Sequence, residues 1–173
     1  VGSEMCIRDS FTDMEQALSY IRQQGAPIVV KADGLALGKG VVVASTVEEA
    51  EEAVRSMMQD HKFGKSGSTV VIEECMVGPE VTVLAFCDGE HLVPMLSSQD
   101  HKRAYDGNQG PNTGGMGAFC PSPKYTPEIA ERCMKEIFLP TVAAMKAEGR
   151  PFKGVIYFGL MLTQDGPKVV EYN

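Results

Sequence analysis

The sequence predicts an α+β fold built on antiparallel sheets. Strand-like segments come in pairs joined by short turns, at 80–95 and at 154–173. Capped amphipathic stretches lie between other strands, without the regular strand–helix alternation of a doubly wound parallel sheet. The 173 residues are 43% hydrophobic and 23% charged, an ordinary composition with enough apolar material for a sizeable core. No apolar run nears the roughly 18 residues that a membrane-spanning helix needs. Sixteen Lys and Arg against 23 Asp and Glu give a net charge of −7, which argues against a general nucleic-acid binder. The five cysteines (Cys6, Cys75, Cys87, Cys120, Cys133) include no Cys-x-x-Cys pair. They point to free thiols in a reducing, cytoplasmic compartment rather than a disulfide framework or zinc knuckle.

Val1–Ser10 has neither the basic nor the apolar region of a signal peptide and no periodicity. It reads as a non-native tail, like translated adaptor sequence. Phe11–Gly25 follows as a helix, with Thr12 as N-cap, Glu15 completing a capping box and Gly25 as the stop. Strands are expected at Ala26–Ala32 and Val41–Ala44, around a glycine-rich turn. Thr46 and Glu49 open a second helix whose apolar face is Val47, Ala50, Val54, Met57 and Met58. Lys62–Ser68 is a polar loop, and Thr69–Glu74 a strand. Glu80–Cys87 and Glu90–Met95 read as a hairpin around the two-residue turn Asp88-Gly89. Ser97–Pro123 is long for a loop, which marks it as functional or disordered. Thr126 caps a helix with Pro127 at its first position, and Pro140 forces a kink or break in it. Gly154–Thr163 and Lys168–Asn173 form a last hairpin, and the chain stops inside that strand-like run.

Five stretches could carry chemistry. In 31–40, Lys31 and Lys39 bracket a turn containing Gly34, Gly38 and Gly40. Glycines let backbone N–H groups approach phosphate oxygens, and the lysines supply charge. The spacing fits neither a Walker A loop nor a dinucleotide fingerprint, and a plain hairpin turn with exposed lysines is the equal alternative. Glu73-Glu74-Cys75-Met76, with Glu80 beyond a turn, could read a base edge and ribose hydroxyls, or be solvated strand ends. Asp100-His101-Lys102-Arg103 is a cation cluster in an acidic protein, suited to an anionic ligand, or a solvated turn. Gly110–Gly117 has four glycines in eight residues, and its Pro-Asn and Met argue for a shaped loop over a linker. Glu171 and Asn173 lie two apart on a strand and so share a face. Their oxygens suit Mg²⁺, although taken alone the outer face of an ordinary amphipathic strand is the better account. Taken together the five are equipment for moving the terminal phosphoryl group of ATP.

The stretches 31–40, 98–103, 110–118 and 170–173 occur in an order that resembles the phosphoribosylamine–glycine ligase family. These are ATP-grasp enzymes of de novo purine synthesis, and the resemblance spans Phe11–Asn173. It implies two subdomains with largely antiparallel sheets clamping ATP, a small one at 27–74 and a larger one at 75–173. Residues 11–26 would be a connecting helix, and the larger subdomain would be truncated at its C-terminal end, with further N- and C-terminal domains in the parent. Lys31 and Lys39 would contact ATP phosphates, with Gly34, Gly38 and Gly40 shaping their loop. Glu73, Glu74, Cys75 and Met76 would form the adenine hinge, and Glu80 would bind ribose. Asp100, His101, Lys102 and Arg103, with Asn112, Thr113, Gly114, Gly115, Met116 and Gly117, would line the glycine and phosphoribosylamine side. Glu171 and Asn173 would ligate Mg²⁺ or Mn²⁺. Leu37 stands where the family commonly has Ala. The implied reaction passes through glycyl phosphate, with no nucleophilic side chain. The alternatives are a different ATP-grasp carboxylate–amine ligase, or an ATP-binding segment without turnover. If the phosphate-loop assignment holds, Lys39→Ala in a full-length protein carrying this segment lowers ATP-dependent turnover; unchanged steady-state rates would refute it.

Overall fold

The computed structural model describes residues 8–33, 40–59, 68–107 and 109–173. Residues 1–7 with Cys6, 34–39, 60–67 and Asn108 lie outside them. The chain divides into two compact units, with the boundary after Cys75.

The first unit is a four-stranded antiparallel sheet with two helices on one face. In chain order its elements are β1 (Arg8–Phe11), α1 (Met14–Gln24), β2 (Ile28–Ala32), β3 (Val41–Ala44), α2 (Val47–Met58) and β4 (Val70–Glu74). The strands lie in the order β1-β4-β2-β3. Alternation sends Ile28 and Val30 of β2, Ala44 of β3, and Val70 and Ile72 of β4 toward the helices. There they pack on Ala17, Leu18 and Ile21 of α1 and on Ala50, Val54 and Met57 of α2. Glu51 of α2 accepts from Arg22 of α1 at 2.6 Å and from Arg55 at 2.7 Å. The hydrogen bond from Arg22, then that from Arg55, holds the Glu51 carboxyl below its ordinary range.

Several expectations change here. The N-cap of α1 is Asp13, one residue beyond Thr12; its carboxylate accepts from Gln16 N–H at 2.9 Å, and Asp caps better than Thr. Thr46 caps α2 as expected, and Glu49 reaches back to the N–H of Ser45. Arg8–Phe11, read partly as tail, forms an edge strand in register with Val70–Glu73. Helix α1 supplies core to this unit as well as connecting it.

The second unit, 76–173, is built on a four-stranded antiparallel sheet ordered β12-β11-β5-β6. Its strands are β5 (Glu80–Cys87), β6 (Leu92–Pro94), β11 (Gly154–Thr163) and β12 (Gly166–Tyr172). Between β6 and β11 come two short ribbons, β7 (Gln99–Asp100) with β10 (Ala118–Phe119), and β8 (Arg103–Tyr105) with β9 (Gln109–Asn112). Helices α3 (Pro127–Cys133) and α4 (Leu139–Ala147) follow the ribbons. Cys133, Ile137 and Phe138 pack on Val81, Val83, Ala85, Ile156, Phe158 and Leu160. The Phe138 and Phe158 rings lie 4.2 Å apart.

The Asp88-Gly89 hairpin has a longer connection than its sequence suggests. Cys87 pairs with Leu92, leaving four residues in the loop. Asp88 accepts from the N–H groups of both Glu90 and His91, an Asx arrangement that consumes the extra residues. Pro140 produces neither a break nor a missing turn. The five residues Met134–Phe138 form a π-helical turn in which Leu139 N–H reaches Met134 C=O. This wider turn precedes Pro140 in the first turn of α4, relieving the clash its ring would make in a regular helix.

Gly78 fixes the entry to β5. A Cβ there would lie 2.2 Å from the carbonyl oxygen of Leu162, and the neighbouring Pro79 carbonyl accepts from Leu162 N–H at 3.0 Å. Gly78→Ala is therefore expected to destabilise the protein by about 1–3 kcal/mol. Gly114→Ala, with nothing within 4 Å of the added carbon, should leave the urea midpoint unchanged.

Candidate functional site

Each sheet has one face under helices and one open face, and the chemistry-bearing side chains lie on the open faces. In the first unit, β2 places Lys31 on the open face and β4 places Glu73 there, opposite Val29. Lys31 Nζ and Glu73 carboxylate form an ion pair at 2.5 Å, with Lys31 24% and Glu73 8% exposed. Val41, opposite Lys31, and Val43, opposite Val29, stand exposed on the same face. The result is an apolar surface carrying one partly buried charge pair. Gly40 is buried, and its carbonyl accepts from Ala32 N–H at 2.8 Å. Gly34, Gly38 and Lys39 lie outside the described residues. Glu74 ends β4, and Cys75 and Met76, both half-buried, belong to no helix or strand.

In the second unit, β5 alternates cleanly. Val81, Val83, Ala85 and Cys87 point inward, and Glu80, Thr82, Leu84 and Phe86 point to the open face. Strand β11 sets Tyr157 opposite Leu84 and Gly159 opposite Thr82. Strand β12 then sets Glu171 opposite Gly159. Asn173 exchanges backbone hydrogen bonds with Tyr157, at 2.7 and 3.2 Å, which places it on the same face as Glu171. Glu80, Thr82, Lys102, Tyr157, Gly159 and Glu171 line a cavity there. Lys102 Nζ donates to Glu80 at 2.6 Å. Burial works against the Lys102 charge, but the hydrogen bond and charge of Glu80, aided by Tyr157 and Glu171, raise its pKa above the ordinary lysine value.

The segment 100–103 and the glycine loop, separate in sequence, come together. Thr113 donates to the Lys102 carbonyl through N–H at 2.7 Å and through its hydroxyl at 2.9 Å. His101 exchanges backbone hydrogen bonds with Met116 and Gly117, and its ring lies 5.1 Å from Phe119. Arg103 donates to the Gly110 carbonyl, and its backbone pairs with Asn112. Gly115, at φ +97°, leaves room for the Asp100 carboxylate, whose two oxygens would both lie 3.1 Å from a Cβ. The loop is thus shaped, as its composition suggests. The cation cluster is not free: Lys102 is paired with Glu80, and Arg103 is spent on a carbonyl.

Among the described residues no three His, Cys, Asp or Glu side chains lie close enough to hold a metal by themselves. Glu171 with Asn173 still fits Mg²⁺, which takes one or two protein carboxylates and completes its shell with water and phosphate oxygens. Thr82, Tyr157 and Gly159 were missed by motif reasoning. The period-two alternation of β5 and β11 is the signal that places them beside Glu80 and Glu171.

Comparison with known proteins agrees with this architecture. The profile of the phosphoribosylglycinamide synthetase ATP-grasp (A) domain matches residues 4–173, beginning before Phe11. A phosphoribosylamine–glycine ligase of Vibrio vulnificus is 59% identical over 165 residues, covering 95% of this chain and 38% of the relative. The chain therefore spans well under half of the curated relative it matches. The crystal structure of phosphoribosylamine–glycine ligase from Thermotoga maritima superposes with a TM-score of 0.82 at 33% identity, over 98% of this chain and 43% of that one. A biotin carboxylase complex with β,γ-ATP from Campylobacter jejuni shares the fold, at TM-score 0.72 and 16% identity, over 99% of this chain and 37% of that one. With its α+β sheets and their open faces, the chain is an ATP-grasp fold and belongs to the phosphoribosylglycinamide synthetase ATP-grasp (A) domain family.

Proposed function

We propose that this chain carries the nucleotide-binding and phosphoryl-transfer groups of an ATP-dependent ligase joining glycine to 5-phosphoribosylamine. The observation that carries the reading is the cavity on the second unit. A lysine ammonium hydrogen-bonded to Glu80 lies there, with the Glu171 carboxylate also in the lining, beside the loop that the family resemblance assigns to the substrates.

A carboxylate is a poor acyl donor, because attack by an amine would have to expel oxide. Transfer of the γ-phosphoryl group of ATP to the glycine carboxylate gives glycyl phosphate and ADP. The amine of phosphoribosylamine then attacks the acyl carbon, and inorganic phosphate leaves. The chain's tasks are charge neutralisation, positioning and exclusion of water. Lys31 and Lys39 bind ATP phosphates, and Gly34, Gly38 and Gly40 shape the turn between them. Glu73, Glu74, Cys75 and Met76 bind the adenine, and Glu80 the ribose. Lys102 presents its charge to the transferred group. Asp100, His101 and Arg103, with Asn112–Gly117, hold the acceptor substrates. Glu171 and Asn173 would hold Mg²⁺, or Mn²⁺ in its place, which supplies further neutralisation of phosphate charge when bound. The free cysteines Cys75, Cys87, Cys120 and Cys133 fit a cytoplasmic setting.

The rest of the relatives' length supports flanking N- and C-terminal domains as necessary partners for turnover. In this reading a full-length protein carrying the segment forms glycinamide ribonucleotide with glycine-dependent ADP release. The 173-residue chain alone binds ATP weakly and forms none. Product from the purified chain with ATP, Mg²⁺, glycine and fresh phosphoribosylamine overturns the second statement, and no product from the full-length protein overturns the first.

The Lys31–Glu73 pair allows a sharper test. Lys31→Ala strands a buried carboxylate and is expected to cost on the order of 3 kcal/mol of stability as well as nucleotide affinity. Lys31→Met with Glu73→Leu should restore the urea midpoint while calorimetric binding of Mg²⁺-ADP stays at least tenfold weaker. Recovery of both would show the pair to be structural only.

A further inference from the structure

The cavity of the second unit contains two hydroxyl groups that the reaction outlined above does not use, those of Tyr157 and Thr82. We infer that Tyr157 is a further catalytic residue, whose phenolic O–H donates a hydrogen bond to an anionic oxygen of the substrate held beside Lys102. The inference rests on the functional reading above and deepens it.

The geometry supports it in three ways. Tyr157 Oη and Thr82 Oγ1 lie 3.0 Å apart. Two hydroxyls sharing one hydrogen bond leave one O–H over, because only one of them can donate to the other. The phenol is the stronger acid. When an anionic oxygen is present, the favoured arrangement has Thr82 donating to the phenolic oxygen and the phenol donating to the anion. The Thr82 hydroxyl thereby aims the Tyr157 proton.

The charge in the cavity points the same way. Lys102 faces two carboxylates, Glu80 and Glu171, and is hydrogen-bonded to the first. An anionic oxygen brought to Lys102 therefore arrives among negative charges. A neutral donor stabilises it without repelling any neighbouring group or needing a counter-charge of its own.

Gly159 then keeps the phenol in place. A Cβ at 159 would lie 2.9 Å from Glu171 Cγ and 3.1 Å from Tyr157 Cε1. With no Cβ, glycine leaves room for the ring and the acid to stand side by side as they do. Packing does not account for the hydroxyl, since Tyr157 is on the open face, away from the helix-covered core, where a phenylalanine ring would fit equally.

The test is steady-state kinetics of Tyr157→Phe in a full-length protein carrying this segment, read as glycine-dependent ADP release. A hydrogen bond to a charged group predicts a loss in kcat/KM for glycine of roughly ten- to a hundredfold. The KM for ATP and the thermal midpoint should be unchanged. A loss in kcat assigns the bond to a phosphoryl oxygen, and a rise in glycine KM assigns it to the carboxylate. Thr82→Val should show a smaller loss in the same parameter. Wild-type kinetics for Tyr157→Phe overturn the assignment. So does a parallel change in every KM with a lowered thermal midpoint, which is the signature of a structural role. Absence of glycine-dependent ADP release from the unmodified protein overturns the functional reading instead.

Discussion

The pleat of the two antiparallel sheets is the constraint on which the rest of this structure depends. Successive side chains on a strand point to opposite faces, so a strand with one face under a helix presents every second residue elsewhere. In β5 this sorts Val81, Val83 and Ala85 under the helices and Glu80 and Thr82 onto the open face. In β2 it sorts Ile28 and Val30 inward and Lys31 outward. The apolar contacts that hold each unit together and the polar groups that carry chemistry are thus on the same strands, one residue apart. A one-residue slip in register would bury the charges and expose the core. The rigidity of the sheets therefore fixes the site as firmly as it fixes the fold.

The two lysines on the open faces share a physical situation. Each is held by a carboxylate, Lys31 by Glu73 and Lys102 by Glu80. A lysine in a partly buried place keeps its charge only when something compensates the lost hydration. For Lys102 the Glu80 carboxylate does that, and in both pairs the contact holds a long flexible side chain in one position. The acidic partners count toward the net charge of −7. On both sheets the cation is matched locally by a carboxylate and does not belong to a basic surface.

Much of this was legible in the linear sequence. Caps, turn residues and alternation are local, and they placed β3, β5 and β11 at the residues where the structure has them. The capped start of α2 and the Thr126-Pro127 start of α3 were equally plain. Misses arose where two local solutions compete. Thr12 and Asp13 can both cap α1, and the better acceptor wins. Asp88-Gly89 can close a two-residue turn, but Asp88 also binds two backbone N–H groups beyond it. Pro140 can break a helix or be absorbed by a wider turn, and a helix already committed to burying Ile137 and Phe138 favours the second.

What the sequence determined by itself was the longer helices and strands, the family and the motif residues, because these depend on neighbours a few positions away; the edge strand β1 and the short ribbons β7–β10 depend on pairing partners and were not legible. It could not show that Lys102 in the apparent cation cluster at 100–103 is paired with a carboxylate, since Glu80 lies more than twenty residues away. Nor could it place Tyr157 beside Thr82, which is 75 positions away. Those pairings exist only once β5, β11 and β12 are laid side by side, with registers set by the apolar face. The tertiary structure decided which charges are partnered and which hydroxyls face the cavity, because hydrogen bonds and ion pairs act over a few ångströms of space and not along the chain.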